Sequence, residues 1–596
     1  MTDYAPPLRD IRFVLDEVAD LPGLLAAERF NHVDLDTVHL VLEEVGRFMA
    51  EVVAPTNRIG DQEGAVWHPD GSVTLPAPFK HAYDRMVEAG YGAIPFDPDF
   101  GGGGFPWVSA LAIQEMLTSA NMAFSLWSLL TQGAIDAIAH HGSAEQKAMY
   151  LPKMLTGQWT GTMNLTESHA GSDVGALTSK AEPVGDGSWR ISGQKIFITY
   201  GEQDLSENIV HLVLARTPGA PPGTRGISMF LVPKVLVNPD GSLGERNDVT
   251  CVSIEHKLGI HGSPTCVLSY GEQGGAIGWL VGDEGQGMRN MFTMVNNARL
   301  SVGLEGLALA ERAFQQALQY AQDRVQGTAI GAAKGTNSPI IEHADVRRML
   351  MTQRAWIDAM RCLIYTNGAA LDRAAAADGE ERQHHQELAD LLIPLSKALC
   401  TDIGNEMTSL AVQIHGGMGF VEETGIAQHF RDIRIAAIYE GTNGIQAADL
   451  VARKLPMRGG QVLVNLLAAG EETAVGLAKN ADLAVFGANL LAGIGAAHEA
   501  TGWLASHASE PNQVLAASAP YLRLLGTVVC GGLLGKAALA AAGSVAEAGV
   551  DTDFYRAKVI SAKYFSEQIL PTAAGLLGAV TAGADDLFAL TPQQLG

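Results

Sequence analysis

Cysteine is scarce in this chain of 596 residues: only Cys251, Cys266, Cys362, Cys400 and Cys530 occur, none in a C-x-x-C pair. Such an odd, scattered set excludes a disulfide framework or zinc ribbon and predicts a protein of the reducing cytoplasm. Basic residues are also in deficit, with 40 Lys and Arg against 65 Asp and Glu, a formal net charge of −25. That sign argues against general affinity for nucleic acid or anionic membrane, both of which attract cationic surfaces. The start, Met1-Thr2-Asp3-Tyr4-Ala5-Pro6-Pro7, lacks the basic residues and apolar stretch of a signal peptide, so export is not expected. A clean membrane span is missing as well. The longest uncharged stretch, Met116 to Ile135, carries Thr118, Ser119, Asn121, Ser125, Ser128, Thr131 and Gln132, which are costly against lipid. The stretch Gln568 to Ala584 is shorter and interrupted by Pro571, Gly575 and Gly578. Both are expected to be helices buried in protein.

Common signatures fail in the same way. Gly531-Gly532-Leu533-Leu534-Gly535-Lys536-Ala537 resembles a phosphate loop, but Cys530 takes the place of its first glycine and Ala537 that of Ser/Thr. His498-Glu499 opens like a zinc-protease helix, yet Gly502 replaces the second histidine, and no metal is expected. Neither Gly101 to Gly104 nor His415-Gly416-Gly417-Met418-Gly419 fits G-x-G-x-x-G, so a Rossmann site is unsupported. No repeat of fixed period is present, which excludes a solenoid.

What is there is a large apolar core. With 47% hydrophobic and 18% charged residues the chain is globular, and its length suits several domains. An arm and a short helix are expected over 1–34. Apolar residues at helical spacing, such as Val38, Leu42, Val45 and Met49, predict a helical domain over 35–160. Short β-branched runs then follow, including Lys195-Ile196-Phe197-Ile198-Thr199, Ile209 to Ala215 and Ile227 to Val232, separated by turns at Gly185-Asp186-Gly187 and Pro221-Pro222-Gly223. They predict an antiparallel β domain over 161–282. Helical spacing returns over 283–455, and after a linker at Pro456-Met457-Arg458-Gly459-Gly460 an Ala-rich helical domain fills 461–596. The fold class is mainly α with an inserted antiparallel β domain.

Three segments combine residues in ways that suit chemistry. The first joins Met163-Asn164-Leu165-Thr166-Glu167-Ser168-His169-Ala170-Gly171-Ser172-Asp173 to the run ending Phe197-Ile198-Thr199. A small-residue loop with hydroxyls and free N–H groups can bind a heterocycle or phosphate, and strand alternation puts Phe197 and Thr199 on one face. Each piece alone fits a turn or a core strand better. In Gln413-Ile414-His415-Gly416-Gly417-Met418-Gly419, glycines end a helix and open backbone to a ligand, though alone this fits a helix cap. In Ile438-Tyr439-Glu440-Gly441-Thr442-Asn443-Gly444, a lone carboxylate follows an apolar run and precedes a turn that can cap the next helix. Its spacing fits a general base and a surface glutamate equally.

Together these segments resemble the acyl-CoA dehydrogenase family, in order, over about Leu35 to Leu455. The whole chain is most similar to a long bacterial subgroup with an added C-terminal helical domain, through Arg9-Asp10-Ile11-Arg12-Phe13, His256 to Thr265 and Met294 to Leu300. The resemblance implies a helical domain, a β domain and a four-helix bundle. It further implies FAD-dependent conversion of an acyl-CoA to the trans-2-enoyl-CoA, with electrons passed to electron-transferring flavoprotein. Glu440 would take the α-proton while the β-hydrogen leaves as hydride to the flavin, and the Glu440 N–H would help stabilise the enolate.

By the same resemblance Met163, Leu165, Thr166 and Ser172 would hold the flavin edge and pyrophosphate, and Phe197 and Thr199 would pack on and bond to the ring. Arg324, Gln413, Gly416 and Gly417 would reach FAD across a subunit interface, so at least a homodimer is expected. Thr442 and Asn443 would touch the cofactor beside the base. Ser172, Asn296, Arg299 and Gly441 would meet the substrate, Asn296 standing where several relatives carry aspartate. Two alternatives share the fold: a flavin-bearing DNA-binding stress protein, disfavoured by the acidic 460–596 segment, and an acyl-CoA oxidase delivering electrons to oxygen.

Overall fold

A computed structural model describes residues 4–333, 335–545 and 551–596, with the side chains of residues 293, 294 and 296 outside that description. The protein is mainly helical with one β domain, and it divides into two compact units. One comprises residues 1–46, 106–119 and 302–596, and the other residues 47–105 and 120–301.

The helices that build the first unit are α1 (Leu8–Glu17), α2 (Leu35–Phe48), α3 (Trp107–Ala120), α4 (Gly287–Asp323), α5 (Ala344–Ala376), α6 (Gly379–Pro394), α7 (Cys400–Ile414), α8 (Asn443–Asp449), α9 (Gln461–Ala478), α10 (Ala484–Ser506), α11 (Pro511–Val545) and α12 (Thr552–Tyr564). Residues 287–301 of α4 belong to the second unit. The helical run 35–160 is thus shared between units, and α3 shows why. Its first N–H groups, at Trp107 and Val108, donate to the Asp372 carboxylate of α5 at 2.6 and 2.9 Å, which satisfies donors that a helix start leaves open. Farther along, the buried Glu115 accepts from Arg361 Nη2 at 2.7 Å and from the Tyr365 hydroxyl at 2.6 Å, while Arg361 also reaches Glu311 at 3.0 Å. A carboxylate in so apolar a helix needs a buried cation, and α5 supplies it.

Small residues let the bundle helices touch. A Cβ at Gly303 would lie 2.3 Å from the Ser396 carbonyl oxygen, and one at Gly306 2.1 Å from that of Cys400. Helix α4 therefore lies backbone to backbone against the wide turn Leu395–Leu399 that links α6 to α7. The C-terminal helices pack on this bundle. In α11, 72% of the most apolar window is buried in protein. A second charge cluster joins three distant parts of the unit: Asp358 of α5 accepts from Lys558 at 2.8 Å and Ser561 at 2.7 Å, both on α12, and Lys558 and Arg354 also pair with Asp10 of α1.

In the second unit the strands of the main sheet are β1 (Trp159–Asn164), β2 (Lys180–Pro183), β3 (Trp189–Thr199), β4 (Asn208–Arg216), β5 (Ile227–Pro233), β6 (Val249–Ile254), β7 (Thr265–Tyr270) and β8 (Ala276–Leu280). They form one sheet in the order β6-β7-β3-β8-β5-β4-β1, with β2 beside β3 and β4. The central β4 and β5 are buried almost throughout, as their unbroken apolar sequence requires. Neighbours are antiparallel apart from β1, which runs parallel to β4, and a single contact between β2 and β4. The helix Met122–His141 packs on β1, and a Cβ at Gly161 would come within 2.4 Å of the Ala134 methyl group. The uncharged stretch Met116 to Ile135 is broken at Asn121, whose side chain caps this helix by accepting from Phe124 N–H at 3.0 Å. In that helix 83% of the most apolar window is buried.

Candidate functional site

The predicted site residues fall in both units. In the β unit, Met163 lies buried near the end of β1, and Leu165, Thr166 and Ser172 follow on the loop to β2. One buried ion pair shapes this loop. Lys195 of β3 donates to Glu167 at 2.8 Å and to the Leu165 carbonyl at 3.1 Å. Glu167 also accepts from the N–H and hydroxyl groups of Thr178 and Ser179 at 2.6 to 3.0 Å. Burial works to raise the Glu167 pKa, but the Lys195 charge and these donors hold it down at about 2. Burial brings Lys195 down to about 8 against the pull of Glu167.

Beside this anchor β3 bulges. Its register against β7 shifts between the pairs at Lys195 and Ile198, and Phe197 takes a left-handed backbone, φ +59°. A positive φ in an aromatic strand residue is a strained outlier. Its effect is to turn the ring outward, 58% exposed, while Ile198 stays buried and Thr199 is half-buried. Strand alternation does not predict this bulge. Among the described residues the hydroxyls of Thr166, Ser172 and Thr199 have no protein hydrogen-bond partner. At Gly171 the nearest neighbour of an added Cβ would be 4.0 Å away. Arg299 lies on α4 with its guanidinium 5.8 Å from the Phe292 ring centre. The Asn296 side chain lies outside the described residues. A pocket lined by Met86, Trp127, Thr131, Ile135 and Met154 contains none of the predicted site residues.

In the bundle unit Glu440 also has a left-handed backbone, φ +55°, a conformation costing on the order of 1 kcal/mol for a residue with a Cβ. Gly441 follows at φ +82°, where glycine carries no such cost. Thr442 caps α8, its hydroxyl accepting from the Ile445 N–H at 3.3 Å. The Asn443 amide is consumed inside the bundle: its oxygen accepts from Lys397 Nζ at 2.8 Å, and its nitrogen donates to Thr401 at 2.9 Å and Asp402 at 2.7 Å. Lys397, buried on the wide turn, also donates to the Gly441 carbonyl at 2.8 Å. On the other side of Glu440, the Tyr439 hydroxyl lies 2.6 and 2.5 Å from the two carboxyl oxygens of Glu305 on α4.

Elsewhere in this unit, Gln413, Gly416 and Gly417 are exposed at the end of α7, and nothing lies within 4 Å of a Cβ built on either glycine. Gly419 is different: a Cβ there would be 2.1 Å from the Val412 carbonyl oxygen, so this glycine serves the turn itself. His415 stacks on Tyr320, with ring centres 4.3 Å apart. Arg324, just beyond α4, is exposed and donates to Gln326 at 3.2 Å.

Sequence reasoning missed Glu305, Lys397 and the Glu167–Lys195 pair. A signal existed for two of them. Lys397 is a lone cation in Leu391 to Leu399, and Glu305 a lone acid between Leu304 and Gly306.

Comparison with known proteins agrees with this architecture. Family models match in sequence order: the acyl-CoA dehydrogenase N-terminal domain over residues 36–158, its middle domain over 162–272, its C-terminal domain over 285–455, and an acetyl-CoA dehydrogenase C-terminal-like domain over 466–591. The chain belongs to the acyl-CoA dehydrogenase family, and with that it is an FAD-using oxidoreductase. It is 45% identical to the 3-methylmercaptopropionyl-CoA dehydrogenase of Ruegeria pomeroyi, over 98% of this chain and 99% of that protein. It is 38% identical to a butyryl-CoA dehydrogenase of Syntrophomonas wolfei, over 97% of each. The solved structure of Caenorhabditis elegans ACDH-11 in complex with C11-CoA shares the fold, with a TM-score of 0.75 at 17% identity over 96% of this chain and 93% of that one. The β-unit loop suits FAD, because unpartnered hydroxyls next to an uncovered aromatic ring offer donors for a heterocycle edge and a face to pack on it.

Proposed function

We propose that this protein converts an acyl-CoA thioester to the trans-2-enoyl-CoA, with Glu440 as the base that removes the α-proton. The observation that carries this reading is the left-handed backbone of Glu440, a residue whose neighbours on both sides are held by buried polar side chains. Strain of that kind persists only where the surroundings over-determine it, and it gathers at working residues. A thioester α-hydrogen is weakly acidic, so its removal requires a positioned base. The Cα–H proton passes to the Glu440 carboxylate, the Cα=Cβ bond forms, and the β-hydrogen departs with two electrons. FAD, when bound, would supply the two-electron acceptor for that hydride, with electron-transferring flavoprotein as the external oxidant.

The protein's part is to hold and to orient. Thr166, Ser172 and Thr199 offer hydroxyls to the cofactor, Phe197 packs against it, and Met163 and Leu165 set the loop. Thr442 and Asn443 act beside the base. For Asn443 this action is through its backbone, since its amide is already bonded within the bundle. The exposed Arg324, Gln413, Gly416 and Gly417 reach FAD of a neighbouring subunit in a homodimer or larger assembly. Arg299, Asn296, Ser172 and Gly441 meet the thioester. The relatives named for 3-methylmercaptopropionyl-CoA and butyryl-CoA support a short, straight acyl chain.

The test is anaerobic bleaching of the flavin absorbance by a panel of acyl-CoAs from short to long. Wild type is expected to bleach fastest with short chains. Glu440→Gln is expected to keep its FAD and bleach about a thousandfold more slowly. Full-rate bleaching by that variant would place the base elsewhere, and rapid peroxide formation would mark an oxidase.

A further inference from the structure

We infer that Glu305, acting through Tyr439, and Lys397, acting through Gly441 and Asn443, are positioning residues that clamp Glu440 in its left-handed conformation from both sides. The inference rests on reading Glu440 as the base. The residue before Glu440 is tied to α4, because the Tyr439 hydroxyl donates to the Glu305 carboxyl group. The residues after it are tied to the wide turn Leu395–Leu399, because Lys397 Nζ donates at 2.8 Å to both the Gly441 carbonyl and the Asn443 side-chain oxygen. Glu440 itself accepts at its carbonyl from Gln446 Nε2 at 3.2 Å.

The two arms of the clamp are built together. Gly303 and Gly306, on either side of Glu305, give α4 the close approach to Ser396 and Cys400, on either side of Lys397. Widened helical turns recur at working sites. Both Glu305 and Lys397 are wholly buried, and burying ionisable groups is a cost that an apolar pair would avoid. Holding a hydroxyl and a carbonyl on the two sides of one strained residue is a use that apolar side chains could not serve.

The clamp also has a charge state. The ionisable groups that face Glu305 are Tyr439, Lys397 and Glu440. Burial raises Glu305 to about 8, with Tyr439 and Lys397 opposing and Glu440 adding to the rise. Near neutral pH Glu305 is therefore uncharged, and above about 8 a second negative charge appears beside the base.

Glu305→Ala and Tyr439→Phe each cut the Glu305–Tyr439 arm and should lower kcat about a hundredfold with KM little changed, and Lys397→Met cuts the other arm. Glu305→Gln keeps an acceptor for Tyr439 and should restore turnover to within a few fold. It should also remove an alkaline limb, which is expected near pH 8 in the wild-type rate profile. In melting curves of the FAD-loaded protein, wild type should lose stability relative to Glu305→Gln as pH rises from the ordinary 4.5 to about 8. If Glu305→Ala does not fold, Tyr439→Phe carries the rate test and Glu305→Gln the pH tests. Wild-type kcat in the arm-cutting variants, or a Glu305→Gln rate profile identical to wild type, would overturn the clamp while an inactive Glu440→Gln leaves the base in place. An active Glu440→Gln protein would overturn both.

Discussion

Each unit of this protein braces a candidate site loop with a buried lysine, and the two lysines donate to different kinds of acceptor. In the β unit Lys195 meets a carboxylate directly, Glu167 at 2.8 Å, and that acid is held down at about 2. In the bundle Lys397 meets neutral oxygens, Gly441 and Asn443 at 2.8 Å, and the nearby Glu305 is pushed up to about 8. One loop is locked by an ion pair whose acid stays charged across the physiological range. The other is held by a cation near an acid, Glu305, that titrates near 8, which suits the proposed role of Glu440.

Breaking the direct ion pair should have the largest effect. Lys195→Met leaves Glu167 buried without its counter-charge and should cost about 3 to 5 kcal/mol, read as a large fall in melting temperature together with loss of bound FAD. Lys397→Met strands two neutral acceptors and should cost less, about 1 to 3 kcal/mol, while turnover falls at constant FAD content. If the two substitutions proved equally destabilising, the contrast between the units would fail.

The comparison sharpens in pH. Glu167, depressed in the folded state, adds stability above its ordinary value of 4.5 that is lost as pH falls toward about 2. Glu305, raised in the folded state, adds stability at low pH that is lost as pH climbs from 4.5 to about 8. Melting curves should therefore show Glu167→Gln flattening the acid side and Glu305→Gln the alkaline side. Removing the α8 cap with Thr442→Ala should cost about 1 kcal/mol. The smallest change is Gly417→Ala, which has open space around it and should shift stability by less than about 0.5 kcal/mol. Any loss of FAD in that variant would then report contact with the cofactor rather than misfolding.

Local chemistry made much of this legible in the sequence. The turn after Glu440 could be read because Gly441-Thr442-Asn443 has the residues a helix start needs, and β4 and β5 because their apolar runs leave few other folds. The uncharged stretch around Asn121 was also readable as protein core, since its polar residues suit caps and not lipid. The bulge at Phe197 was not, because a positive φ in an aromatic residue runs against every local preference and is imposed by the register of β7 on β3. Nor could α3 be assigned to the bundle, since Glu115 meets Arg361 only after the chain has travelled 246 residues. Glu305 and Tyr439, 134 residues apart, escaped for the same reason.

The cluster around Asp358 bears on how the protein is made. Its partners lie on α1, near the start of the chain, and on α12, 200 residues beyond Asp358 itself. During synthesis Asp358 and Asp10 emerge long before Lys558, so the bundle cannot complete this charge balance on the ribosome until α12 has emerged. The appended helices would then be a late fastening of the bundle. A version cut after residue 460 should accumulate as a soft, protease-sensitive bundle, and no smaller working enzyme should be obtained that way.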